Sequence, residues 1–162
     1  MRVSKLFENA KVHHETTKMA EIEENYPDRV MDHYEDPYHR GECEQASHRY
    51  AAGNAICGDE ISVELRVDFD GTICEAWFDG DGCCVSQAAA SMLMESIEGK
   101  TVAEVKTLRP EDMLKLFGAE LSSDRQKCCL LPWIVLQGAV SSPICDEDGG
   151  AKFGGPHLGE EQ

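Results

Sequence analysis

A mixed chain, with one β-hairpin followed by a run of helices, is what the sequence predicts, and two stretches carry that prediction. Ile61, Val63, Leu65 and Val67 alternate with Ser62, Glu64, Arg66 and Asp68, the period of two expected of a strand with one buried face. Asp70-Gly71, a favoured tight-turn pair, follows at once, and Thr72 to Phe78 returns as a second strand rich in β-branched and aromatic residues, so the two should pair antiparallel. Beyond Gly82, Cys84 to Glu98 is rich in Ala and Met without Gly or Pro, which predicts a helix of three to four turns stopped by Gly99.

The flanking elements follow the same reasoning. Tyr26 to Glu35 reads as a short opening helix: Pro27 suits a first position, Asp28 and Asp32 load the amino end, and Pro37 stops it. The polar stretch Tyr38 to Asn54 reads as a surface loop. Thr101 with Glu104 forms a capping-box pattern, and Pro110, Glu111 and Asp112 open a further short helix ending before Gly118. After a polar link from Glu120 to Lys127, Cys128 to Val140 is apolar enough for a last helix. Because an interior proline breaks a helix, Pro132 places the start of that helix at or just after Cys128.

Residues 1–25 sustain no period and are expected to form a flexible arm; 26–141 form one domain; 142–162, rich in Gly and acids, are expected to form a flexible tail. The 162 residues carry 15 Lys plus Arg against 31 Asp plus Glu, a net charge of −16. So acidic a chain is a poor ligand for phosphate backbones, which excludes free nucleic acid as a partner. No apolar run is long enough to span a bilayer, and Met1 to Ala20 lacks the apolar centre of an export signal. A cytoplasmic protein is expected.

In that compartment eight cysteines, at 43, 57, 74, 83, 84, 128, 129 and 145, point to metal or sulfur chemistry rather than disulfides. Cys57, Cys83 and Cys128 each fall at the junction of a loop with a predicted element. Helix amino termini favour thiolates, the form that binds metal. Cys57 and Asp59, separated by the permissive Gly58, can curl round one ion. The spacings, 83 − 57 = 26 and 128 − 83 = 45, are not the paired C-x-x-C pattern of a zinc ribbon. Residue chemistry alone therefore ends at a possible metal site.

Four segments extend it. Val30 to Gly41 (VMDHYEDPYHRG), Ala55 to Glu60 (AICGDE), Gly80 to Met92 (GDGCCVSQAAASM) and Arg125 to Trp133 (RQKCCLLPW) resemble, in order and spacing, the IscU/NifU/SufU family of iron–sulfur cluster assembly proteins. The likeness runs from about Tyr26 to Ser141. It implies an α+β fold, a small antiparallel sheet of about three strands with helices packed on one side, and a site of Cys57, Asp59, Cys83 and Cys128. By the same likeness the site accepts persulfide sulfur from a cysteine desulfurase, at Cys57 or Cys128. It then holds a transient [2Fe–2S] cluster, or Zn2+, for recipient apo iron–sulfur proteins or a carrier. Such a chain is a scaffold or carrier rather than a true enzyme. Three thiolates with one carboxylate make a labile site, suited to a cluster that must leave.

The branch within the family stays open. Arg125-x-Lys127-Cys128 looks SufU-like and favours a zinc-dependent sulfurtransferase in which Arg125 and Lys127 assist, whereas the 45-residue spacing is IscU-like. The Leu-Pro-Pro segment of IscU-like members is replaced by Leu121, Ser122, Ser123 and Asp124. A third reading is a structural zinc module that serves interaction only. Cys84 and Cys129, where the family has small residues, are expected to be packing residues, with a resolving-thiol role as the alternative. Cys74 is expected to face the core with Ala76 and Phe78. Cys43 and Cys145 are not proposed as ligands. His33 is expected to be structural, His13 and His14 a solvated pair, and Trp77 and Trp133 core aromatics.

Overall fold

The computed structural model describes residues 26–55 and 58–144. The arm before Tyr26, Cys57, and the tail from Cys145 lie outside the described residues.

The order of elements is α1 (Asp28–Glu35), β1 (His48–Asn54), β2 (Asp59–Val67), β3 (Ile73–Asp81), α2 (Cys84–Ile97), α3 (Val102–Lys106), α4 (Pro110–Phe117) and α5 (Ser123–Val140). The predicted hairpin is β2–β3. Gly71, at φ +88°, supplies the positive dihedral that turns the chain, and the Asp70 carboxylate accepts from the Thr72 N–H at 3.0 Å. One face of the sheet is apolar. Ile61, Val63 and Leu65 of β2 and Ile73, Ala76 and Phe78 of β3 are fully buried, each larger side chain contributing about 1.5–3 kcal/mol. Onto this face pack α5, across β1 and β2, and α2, against β3. The architecture is α+β, a three-stranded antiparallel sheet in the order β1-β2-β3.

Four local expectations are corrected. The stretch read as a loop to Asn54 contains an edge strand, β1, paired with β2 from His48 opposite Leu65 to Asn54 opposite Asp59. On the side facing α5 it carries His48, Tyr50 and Ala52, of which only His48 is buried, so the strand has no buried aliphatic alternation. The fit is made instead by Gly138 of α5, where a Cβ would stand 2.4 Å from the Tyr50 ring. Ser142 to Ile144, expected within the tail, run along the start of this strand: Ile144 N–H donates to the Ser47 carbonyl at 2.8 Å.

Cys74 is exposed rather than packed. The register shifts between Arg66 and Val67, with Arg66 opposite Glu75 but Val67 opposite Ile73. The extra residue, Cys74, is thus bulged out of the alternation.

The last helix begins five residues earlier than the proline argument allowed, at Ser123, with Ser122 as its cap accepting from Arg125 N–H. Pro132 lies well inside it. Its missing N–H is the one that would have bonded the carbonyl of residue 128. Arg125, Lys127 and Cys128 are therefore helical, not loop, residues. Elsewhere the capping box at Thr101 and Glu104 forms as predicted, and Gly118 closes α4 in the left-handed conformation.

Candidate metal centre

Three elements meet at one end of the sheet. Asp59 opens β2 and is 2% exposed, Cys83 stands at the amino end of α2, and Cys128 lies in the second turn of α5, fully buried. A carboxylate oxygen of Asp59 and the Sγ atoms of Cys83 and Cys128 all lie within 4.8 Å of one another. Sulfur ligands on a tetrahedral zinc are about 3.8 Å apart, given Zn–S near 2.3 Å, so a small inward movement would close the set on an ion.

The local sequence explains the convergence. Asp59 Oδ1 accepts the backbone N–H of Cys83 at 2.9 Å, and Cys83 Sγ stands 3.6 Å from Oδ2. The strand thereby caps the helix, and a carboxylate at a helix amino end is favoured by its unpaired N–H groups. Ser86, one turn on, donates from Oγ to the Cys83 carbonyl at 3.0 Å. The glycines before Cys83 are steric necessities. A Cβ at Gly80, whose φ is +132°, would meet the Glu60 carbonyl at 2.0 Å; one at Gly82 would stand 2.5 Å from Ser86 Oγ and 2.9 Å from Asp59 Oδ1. Gly58, at φ +69°, donates its N–H to the Asn54 carbonyl at 2.8 Å, joining the end of β1 to the residue before Asp59. Cys57 itself lies outside the described residues.

Of the expected ligands, then, the fold brings together Asp59, Cys83 and Cys128. Cys128 is not at a helix mouth: its Sγ stands 3.6 Å from the Asp124 carbonyl within α5, and of the two cysteines only Cys83 stands at a helix amino terminus. Arg125 is half-buried beside the centre. Burial opposes its charge, but the adjacent Cys83 and Cys84, with Tyr26, outweigh this and hold its pKa above the ordinary value. Lys127 is exposed. Cys84 and Cys129 are buried, as expected of packing residues. Burial, and then the proximity of Cys83, push the Cys129 thiol up to about 12.

The remaining candidates lie away from the centre. Cys43 is buried near Glu75 and Glu64, its thiol pushed up to about 11 by burial first and those carboxylates next. His33 Nδ1 meets Ser91 Oγ at 2.7 Å, tying α1 to α2, a structural role as expected. Trp77 is only half-buried and stacks on His39 with ring centroids 4.4 Å apart. Trp133 donates from Nε1 to the Leu108 carbonyl at 3.1 Å. No helix among the described residues is long and apolar enough to cross a membrane.

Comparison with known families decides the relationship. Residues 25–143 match the NifU-like N-terminal domain. The chain belongs to this family. Among curated NifU-like relatives, the iron–sulfur cluster assembly scaffold protein IscU of Thermotoga maritima is 34% identical over 131 residues, covering 71% of this chain and 92% of that protein. The zinc-dependent sulfurtransferase SufU of Bacillus subtilis is 29% identical over 148 residues, covering 81% and 97%. The crystal structure of a scaffold protein for the SUF system from Fervidobacterium islandicum superposes with a TM-score of 0.56 at 28% identity, covering 71% of this chain and 96% of that one. A NifU-like protein from Brucella abortus, 18% identical with a TM-score of 0.60, shares the fold. The IscU-like and SufU-like branches thus both lie within reach of this NifU-like chain.

Proposed function

We propose that this chain is an iron–sulfur cluster assembly scaffold that works in the cytoplasm. In this reading it takes sulfur from a cysteine desulfurase and holds a nascent [2Fe–2S] cluster for transfer to apo iron–sulfur proteins. The observation that carries the reading is the convergence of Asp59, Cys83 and Cys128 in a NifU-like domain whose relatives include a named iron–sulfur scaffold. Cys57 completes the proposed set. Two iron ions and two sulfides are cargo here, and a donor set of soft thiolates with one hard carboxylate fits a cluster that is held and then released.

Sulfur enters by thiol–disulfide chemistry. A thiolate of Cys57 or Cys128 attacks the terminal sulfur of the desulfurase persulfide; the S–S bond breaks, the desulfurase cysteine leaves as thiolate, and the persulfide now resides on this chain. Arg125, whose charge is maintained beside Cys83, is suited to steady the anionic sulfur, while exposed Lys127 is suited to meeting the acidic surface of a partner. Asp59 keeps the cluster exchangeable: Asp59→Ala is expected to give a cluster that persists longer, and one lost faster than from the unmodified chain would overturn that role.

A second reading is favoured by the Bacillus subtilis relative, a zinc-dependent sulfurtransferase, and by the position of Arg125. Here Cys57, Asp59, Cys83 and Cys128 would hold a resident zinc, which favours the thiolate form of its cysteines. Sulfur would be relayed without a cluster. A purely structural metal is the weakest reading, because the apolar faces of β2, β3, α2 and α5 already close on one another.

Incubation with desulfurase and 35S-cysteine tests the sulfur step. The expected result is a thiol-labile label on the chain, lost when Cys57 or Cys128 is replaced by serine. A chain that takes no label with an active desulfurase would contradict sulfur acceptance.

A further inference from the structure

Three polar side chains are buried along α2: Ser86, Gln87 and Ser91. Two are accounted for. Ser86 donates to the Cys83 carbonyl, and Ser91 Oγ meets His33 Nδ1 and accepts the Tyr38 N–H, both at 2.7 Å. Gln87 is the exception. It is 4% exposed, and neither its Nε2 nor its Oε1 has a hydrogen-bond partner among the described residues. A buried amide left in this state destabilises a fold, whereas an apolar residue of the same shape would not.

Its place in the helix gives the reason. The Gln87 backbone N–H donates to the Cys83 carbonyl at 3.1 Å, so Gln87 stands one turn beyond the cysteine of the metal centre. Long side chains on a helix lean towards its amino end and cover the preceding turn. That turn is Cys83 and Cys84, with Arg125 beside both. Anionic sulfur at Cys83 accepts hydrogen bonds, and a carboxamide N–H donates one without adding charge.

We infer that Gln87 is a positioning residue whose carboxamide N–H donates to the sulfur held at Cys83 when the centre is loaded. Its ligand class is anionic sulfur, whether a metal-bound thiolate or a persulfide, and the inference rests on the proposed metal- and sulfur-binding function of that site. The amide costs stability in the unloaded chain and recovers a partner in the loaded one. Groups that hydrogen-bond to ligating atoms act on retention of the metal, typically by about 10–100-fold.

The test uses the full chain loaded with zinc, with and without Gln87→Met, which keeps the shape and removes the amide. Release of zinc to an excess of chelator should be about tenfold faster or more in the variant, while the melting temperature of the metal-free variant should be unchanged or higher. Equal release rates would overturn the inference and leave the metal centre standing. Faster release together with a lower metal-free melting temperature would make Gln87 a packing residue, and would overturn it as well. An unmodified chain that holds no zinc would overturn this inference as well, and would leave the iron–sulfur reading of the centre standing.

Discussion

The Asp59 carboxylate caps the helix that presents Cys83: Oδ1 accepts the Cys83 N–H at 2.9 Å, and Oδ2 stands 3.6 Å from its sulfur. One side chain thus holds Cys83 in place and offers an oxygen to the same candidate centre. The room for it comes from Gly82. Gly82→Ala places a methyl group 2.5 Å from Ser86 Oγ and 2.9 Å from Asp59 Oδ1, so the carboxylate must move. The fold should survive, with an unchanged far-ultraviolet circular dichroism spectrum, and zinc affinity by chelator competition should fall by about tenfold or more.

Pro132 bears on Cys128 from four residues away. Its ring cannot supply the helical N–H to the residue-128 carbonyl and crowds that carbonyl, the general way in which an interior proline bends a helix at the residue four positions before it. In Pro132→Ala the regained hydrogen bond, about 1 kcal/mol, offsets the space left by the buried ring. Thermal stability should change little while metal affinity falls. Unchanged affinity would show that the proline does not set the position of Cys128.

The cysteines should differ sharply in reactivity. Cys129 is buried with its thiol pushed up to about 12, and thiols rather than thiolates are poor nucleophiles. Cys83 is only partly buried. Limited alkylation of the metal-free chain at about pH 8, read by peptide mass spectrometry, should modify Cys83 well before Cys129. Early modification of Cys129 would favour the resolving-thiol role over packing.

Acid should weaken the β1 edge. Burial, and then Lys106, lower the pKa of His48 below its ordinary value of 6.5. The unfolded chain therefore binds this proton more tightly than the folded one. The contribution is fully present above about pH 6.5 and is lost as the pH falls through the lowered folded value. The melting temperature should decline from about pH 7 to about pH 5, and less steeply in His48→Gln. Parallel profiles for the two would assign the decline to other groups.

How much of this was legible in the sequence depended on the kind of signal. The β2–β3 hairpin, α2 and the capped α3 and α4 rest on periodicity, turn pairs and capping residues, which act locally. β1 escaped because only His48 of His48, Tyr50 and Ala52 is buried, and the glycine that accommodates the Tyr50 ring lies far along the chain at position 138. Alternation of these three with Arg49, Ala51 and Gly53 was the signal available. α5 starts before the point that Pro132 suggests because Ser122 caps it and packing on the sheet tolerates an interior proline that an isolated helix would not. At the centre, the family resemblance of the motif segments pointed to a set that includes Asp59, Cys83 and Cys128, which the fold brings together. The need for Gly82 and the unpartnered Gln87 amide are properties of packing that no local pattern carries.

The central claim is that Asp59, Cys83 and Cys128 hold metal for sulfur chemistry. Elemental analysis with a visible spectrum, on chain purified without oxygen and again after incubation with desulfurase, cysteine and ferrous iron, tests it most directly. A scaffold should acquire iron and sulfide with charge-transfer absorption that is lost in Cys83→Ser. Stoichiometric zinc that persists without colour would contradict the scaffold and support sulfur relay, and a chain that binds neither metal would contradict the centre altogether.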